Sequence, residues 1–171
     1  KHLMGQATPK ELANKVVDIL RTDSNPDGLF VHPVSGQHQH LCITGGEPLM
    51  PQSQDAFVGI YEELEQQMNL PASITFETNG TQKLKDSFKW FLAEKPTEVF
   101  FSVSPKLWTV AGEKADKAIQ PEIIRDYYEL SNRGQLKFVM GNKDEQWEEM
   151  EEVIAKIRYT GVDWPVWGMP V

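Results

Sequence analysis

Residues 41–50 read Leu-Cys-Ile-Thr-Gly-Gly-Glu-Pro-Leu-Met, LCITGGEPLM. An apolar, strand-forming run ends there in two glycines, an acid and a proline. Glycines let the main chain approach a ligand closely, because no Cβ stands in the way. Pro48 fixes the exit and removes an N–H donor. The groups left exposed are mainly carbonyl oxygens beside the Glu47 carboxylate, which together suit an ammonium group. A phosphate loop needs N–H donors and commonly a lysine, and this stretch has no lysine. The alternative reading is a strand-to-helix turn that uses its glycines only for their backbone angles.

Working outward, helical and strand patterns alternate. Thr8-Pro9-Lys10-Glu11 carries a capping box with proline at the first helical position. Leu12, Val16, Ile19 and Leu20 recur behind it at helical spacing, and the helix is expected to fade near Thr22-Asp23. Ser24 to Gln37 is rich in Pro, Gly, Ser and Asp and reads as a surface loop. His40–Thr44 then reads as a strand, Asp55–Met68 as a helix and Ser73–Thr78 as a second strand. Lys85–Ala93 is a helix, Glu98–Ser104 a third strand, and Pro121–Asn132 a helix closed by Gly134. Leu136–Met140 is the fourth strand, Asp144–Tyr159 a helix, and Pro165–Val171 the start of a fifth strand. Such alternation predicts an α/β fold with a parallel sheet, open or closed into a barrel.

In parallel sheets of this kind the ligand site lies at the carboxyl ends of the strands. Three unusual segments fall there. Thr44-Gly45-Gly46-Glu47-Pro48 follows the first strand, Glu77-Thr78-Asn79-Gly80-Thr81 ends the second, and Ser104-Pro105-Lys106 ends the third. Asn79-Gly80 is also a common turn pair. A hydroxyl and a cation at Ser104 and Lys106 suit a carboxylate.

The balance of 17 basic against 25 acidic residues, net −8, argues against non-specific binding to nucleic acid or to an anionic membrane. No apolar run is long enough to span a bilayer. With a single cysteine the chain forms no internal disulfide, so a reducing cytoplasm is expected. Cys42 itself is expected to be a buried, inert strand residue. His32, His38 and His40 read as solvated or hydrogen-bonded, with no acid or cysteine nearby to complete a metal site. Trp147, Met150, Val153, Ile154 and Ile157 read as a helix core face, with Glu148, Glu149, Glu151 and Glu152 on its solvated side. Trp108, which follows Ser-Pro-Lys-Leu, is a weaker candidate for a lid or partner contact.

TGGEP after a strand resembles the GGE motif of radical S-adenosylmethionine (SAM) enzymes. With ETNGT and SPK at the next two strand ends, the chain resembles the 7-carboxy-7-deazaguanine synthase family more narrowly. The order of elements matches from Thr8 to Val171. The resemblance implies an incomplete parallel (βα) barrel of the radical SAM type, with 1–171 as a partial core and the SAM pocket at the carboxyl ends of the strands. It implies that Gly45, Gly46 and Glu47 hold the SAM amino group. Ser104, Pro105 and Lys106 would contact SAM, with Ser104 and Lys106 at its carboxylate, and Glu77 and Asn79 would line the pocket. Thr44 would face a pterin substrate, and Met169, beside Pro170, would sit near adenosine or substrate.

The implied reaction is a radical ring contraction. A reduced [4Fe–4S] cluster cleaves SAM to a 5′-deoxyadenosyl radical, which abstracts hydrogen from 6-carboxy-5,6,7,8-tetrahydropterin. Loss of ammonia, aided by Mg²⁺, gives 7-carboxy-7-deazaguanine on the route to queuosine and other deazapurines. An electron donor such as flavodoxin and a homodimer are the partners implied. GGE with ETNGT alone also suits activases of glycyl radical enzymes, and SPK favours the synthase.

The chain departs from the family in one respect. Its cluster is held by a three-cysteine motif, and cluster ligation needs several thiolates; this sequence has one cysteine. The family's cysteine loop follows a first strand and precedes a helix equivalent to Thr8–Thr22, so both are expected upstream, together with the threonine that contacts Mg²⁺. No catalytic residue and no cluster or magnesium ligand is assigned within these residues. A cluster-less relative that binds SAM or pterin is the alternative from another class.

Overall fold

The computed structural model describes residues 7–170. The chain runs α1 (Pro9–Leu20), β1 (Leu41–Ile43), α2 (Pro51–Gln66), β2 (Ser73–Thr78), α3 (Asp86–Glu94) and β3 (Glu98–Val103). Two short helical turns follow, α4 (Trp108–Ala111) and α5 (Ala115–Ala118). Then come α6 (Pro121–Leu130), β4 (Gly134–Met140), α7 (Asp144–Tyr159) and β5 (Val166–Pro170). The strands form one all-parallel sheet in the order β1-β2-β3-β4-β5, so each βα unit places its strand beside the previous one. Among the described residues the sheet is open, with β1 and β5 at its edges. Val171, the last residue of the predicted fifth strand, lies outside the described residues.

Local chemistry sets several boundaries. Thr8 and Glu11 form the expected capping box: the Thr8 hydroxyl accepts from Glu11 N, and Glu11 Oε2 accepts from Thr8 N at 2.7 Å. α2 begins at Pro51 rather than Asp55, since proline is accommodated at the first helical position. The α4 and α5 turns lie in a stretch with no periodic signal. Gly134 does not close α6, which ends at Leu130 with Ser131 as its C-cap. It opens β4 instead, packed so closely that an added Cβ would lie 2.4 Å from Trp164 Cε2 and 2.8 Å from Phe101 O.

Strand alternation divides the sheet into two faces. Ile74, Phe76, Val99, Phe101, Leu136 and Phe138 point to the helices and are buried. A chain of rings crosses this core: Phe76 stacks on Phe101 at 5.9 Å, and Phe101 on Tyr127 at 4.9 Å and on Trp164 at 6.2 Å. Each such ring contributes about 1.5–3 kcal/mol by leaving water. The Tyr127 hydroxyl donates to Gln82 O, and burial, with the nearby Glu47 charge, pushes its pKa up.

Several expectations change at this level. Cys42 is exposed, not a core residue. It aligns with Thr75 on the face of the sheet opposite the helices, while Leu41 and Ile43 align with the buried Ile74 and Phe76. On α1, Ile19 is 82% exposed and the buried side is Ala13 and Val17. Small Ala13 allows the approach to α2, and with Val17, Phe30 and Leu64 it forms a satellite core. The Ser24–Gln37 loop is therefore pinned: Asn25 bonds Leu20 O, Leu29 O and Leu29 N, and Asn69 Oδ1 accepts from Phe30 N at 2.8 Å. On α7, Met150, Val153 and Ile157 are buried, but Trp147 is 45% exposed. Glu149 is not simply solvated; its carboxylate caps α4, accepting from Trp108 N, Thr109 N and Thr109 Oγ1 at 2.6–2.9 Å. Trp108 is thus held at its main chain while its ring is exposed.

Candidate functional site

The three unusual strand ends converge. A cleft of about 290 Å³ opens at the carboxyl ends of β1–β4, lined by Thr44, Gly45, Gly46, Glu77, Thr78, Asn79, Ser102, Ser104, Lys106, Lys137 and Val139. Of the residues assigned from sequence, Thr44, Gly45, Gly46, Glu77, Asn79, Ser104 and Lys106 line it. Glu47 and Pro105 stand beside it in the same loops. Met169 does not line it; with Trp147 and Met140 it lines a neighbouring hollow at the ends of β4 and β5.

The glycine pair shapes one wall. Gly45 and Gly46 have φ of +89° and +58°, and nothing lies within 4 Å of a Cβ added to either. Consecutive left-handed residues there favour glycine. Their peptide groups have no hydrogen-bond partner among the described residues, and both residues line the cleft.

Glu47 ties the glycine pair to the next loop. Its Oε1 accepts from Thr78 Oγ1 at 2.7 Å and from Leu49 N at 3.0 Å, and its Oε2 accepts from Asn79 N at 2.9 Å. A carboxylate has about four acceptor positions, so three are taken and one is left on Oε2. The TGGE and ETN segments are thus one hydrogen-bonded unit. Asn79 adds a local turn, its Oδ1 accepting from Thr81 N and Thr81 Oγ1. Ser104 N donates to Thr78 O at 2.7 Å, which carries the β2–β3 pairing into the third loop. Lys106 has no ion-pair or hydrogen-bond partner among the described residues, leaving a cation at the cleft.

The opposite wall comes from residues that the strand-end motifs did not include. Lys137 Nζ donates to Glu77 Oε1 at 3.2 Å, and Thr44 Oγ1 donates to Glu77 Oε2 at 3.0 Å. These two bonds hold the Glu77 carboxyl below its usual range. Ser102, 2% exposed, accepts from Gln135 Nε2 at 2.9 Å. The signal for Lys137 was present in Gln135-Leu136-Lys137-Phe138-Val139, where polar or small positions alternate with buried ones. Alternation shows which face a residue takes, but only register shows that this lysine meets Glu77.

Of His32, His38 and His40, two are hydrogen-bonded through their rings. His40 places its two ring nitrogens 2.7 Å from Ser73 Oγ and 2.7 Å from Thr75 Oγ1, and the His32 ring lies 3.0 Å from Ser24 Oγ. Among the described residues, no group of three or more His, Cys, Asp and Glu side chains is placed to hold a metal, and no helix is long and apolar enough to cross a membrane.

The polar groups at the cleft would suit an amino-acid moiety such as that of SAM: the glycine pair on one side, with Glu47 beside it, and a lysine with a serine on the other. A [4Fe–4S] cluster does not fit the residues present, because Cys42 is the single cysteine and sits on a strand.

No protein-family profile and no curated protein matches the sequence. Among solved structures, the chain is similar to SuiB of Streptococcus suis bound to precursor peptide SuiA. The TM-score is 0.57 at 15% identity, covering 96% of this chain and 33% of that one. A second structure of S. suis SuiB matches at a TM-score of 0.49 and 18% identity, covering 75% of this chain and 29% of that one. The chain thus spans about a third of the SuiB length. At this identity the likeness speaks to fold alone: this chain shares a parallel α/β architecture with part of SuiB.

Proposed function

We propose that the chain is the SAM-binding part of a radical SAM enzyme, and that the enzyme is a 7-carboxy-7-deazaguanine synthase converting 6-carboxy-5,6,7,8-tetrahydropterin to 7-carboxy-7-deazaguanine. One observation carries the reading: TGGE, ETN and SPK, far apart in sequence, meet around one cleft at the strand ends. In this assignment the peptide groups of Gly45 and Gly46 and the open position on Glu47 receive the SAM ammonium. Lys106 and Ser104 receive its carboxylate, and Pro105 fixes that loop. Glu77 and Asn79 line the SAM pocket, and Thr44 faces the pterin. Met169, which lines a separate hollow at the ends of β4 and β5, is assigned to the adenosine or substrate. Bound SAM supplies the radical chemistry; these residues bind it, orient it and shield it from water.

The cluster thiolates are assigned to polypeptide outside this sequence, as is any Mg²⁺ contact, and no chemical step is assigned to the residues here. A flavodoxin-type reductant, a homodimeric state and a cytoplasmic location belong to the same proposal. The single cysteine favours a second reading, a cluster-less module that binds SAM or pterin. Anaerobic turnover of 6-carboxytetrahydropterin by the polypeptide bearing this chain separates the readings. Formation of 7-carboxy-7-deazaguanine with cleavage of SAM is expected. SAM cleavage without that product contradicts the synthase assignment, and SAM binding without cleavage selects the module.

A further inference from the structure

Lys137 is a residue that the SAM assignment does not use. It lies on β4, and its ammonium reaches Glu77 on β2, two strands away, passing over the intervening β3. The register explains how. Glu77 aligns with Ser102, and Ser102 with Gln135, so Lys137 stands two residues beyond the position in register with Glu77 and its long side chain reaches back along the sheet to the carboxylate.

Packing does not account for the pair. The Lys137 and Glu77 side chains are 24% and 40% exposed, and a partly buried ion pair adds little net stability. Three N–H groups sit on the ammonium, and one is spent on Glu77. The Ser102 hydroxyl, which already accepts from Gln135, has no acceptor for its own proton among the described residues. This wall is therefore rich in donors. The cleft is lined by Lys106, Lys137 and Glu77, with Glu47 beside it, and on the Lys137 wall the unspent ammonium N–H groups and the free Ser102 proton suit an anionic acceptor.

We propose that Lys137 is a specificity-determining residue that receives the acidic group, a carboxylate, of the second molecule in the cleft, with Glu77 as its resting counter-ion. This inference rests on the assignment of the Gly45–Lys106 side to SAM and adds to it the residue that reads the substrate's charge.

The test titrates pterin-6-carboxylate, unsubstituted pterin and SAM separately into the wild-type protein, Lys137→Gln and Lys137→Arg. The wild type is expected to prefer the carboxylated pterin by about tenfold or more, the effect of one charge-assisted hydrogen bond. Lys137→Gln is expected to abolish the preference, Lys137→Arg to keep part of it, and both to bind SAM as the wild type does. A preference that survives in Lys137→Gln while SAM still binds overturns the Lys137 assignment and leaves the SAM reading standing. Loss of preference in Lys137→Gln from a protein that never binds SAM overturns the SAM reading and keeps Lys137 as an anion receptor. A wild type that binds neither pterin overturns the inference.

Discussion

Glu47 Oε2 accepts the main-chain N–H of Asn79 at 2.9 Å, joining two loops that stand 32 residues apart. Its other oxygen takes Thr78 Oγ1 and Leu49 N. The motif acid therefore holds together two of the loops that line the cleft. In Glu47→Gln an amide N–H₂ replaces one acceptor and turns toward donors. The expected cost is about 1–3 kcal/mol, as for a buried group left with an unsatisfied partner. For a chain of this length that lowers Tm by roughly 2–4 °C per kcal/mol. An unchanged melting curve would mean that the two loops are held by something else.

Acid should weaken the fold through carboxylates held low in the folded chain, Glu11 in its capping box, Glu77 and Glu149. Lys137 and Thr44 hold the Glu77 carboxyl low. Partial burial raises that of Glu149, but bonds from Thr109 and Trp108 outweigh it and leave a net lowering. Groups depressed in the folded chain contribute stability in full above the unfolded value of 4.5, and lose it as pH falls through the folded values. Urea midpoints should therefore drop below about pH 4.5, and Glu149→Gln should start lower and fall less steeply. Parallel pH profiles for the two proteins would remove Glu149 from this account.

The sequence was legible where the chain's own chemistry acts locally. The capping box at Thr8, the β-branched run Ser73–Thr78 and the long helix Asp144–Tyr159 appear at the expected places. Seven of the ten assigned site residues line one cleft because strand ends in a parallel sheet share one side. What stayed hidden depends on contacts between elements. Glu149 reads as one more surface acid until α4 is seen to need a cap 40 residues away. Gly134 looks like a helix stop until Trp164 is found against it. Cys42 looks buried because its neighbours are apolar, but among the described residues it lies on the sheet face opposite the packed helices and is exposed.

Gly134 gives a sharp packing prediction. A methyl group there would meet Trp164 Cε2, Trp164 Cζ2 and Phe101 O at 2.4, 2.6 and 2.8 Å. Relief requires the indole or the strand to move, and overpacking of this kind costs about 1–3 kcal/mol. Gly134→Ala should lower the urea midpoint accordingly and perturb tryptophan fluorescence. Wild-type stability in this variant would show that the Trp164 packing is loose.

Cys42 should be reachable in the native protein. Its thiol pKa is raised by partial burial and by the Glu77 charge, against a lowering by Lys137. A native-state thiol reagent should modify one cysteine fully, at a rate below that of an unstructured cysteine peptide, because the thiolate is the reactive form. Modification only after unfolding would place Cys42 back in a core.

The most direct measurement is calorimetric titration of SAM into the wild-type protein, Gly46→Trp and Lys106→Met. The account predicts saturable one-to-one binding to the wild type. Lys106→Met should weaken it about tenfold by removing a charge-assisted hydrogen bond. Gly46→Trp should abolish it, since its side chain would point into the open cleft, where nothing lies within 4 Å of the added Cβ. Circular dichroism on each variant checks that the sheet is intact. SAM binding that survives Gly46→Trp in a folded protein would contradict the assignment of this cleft.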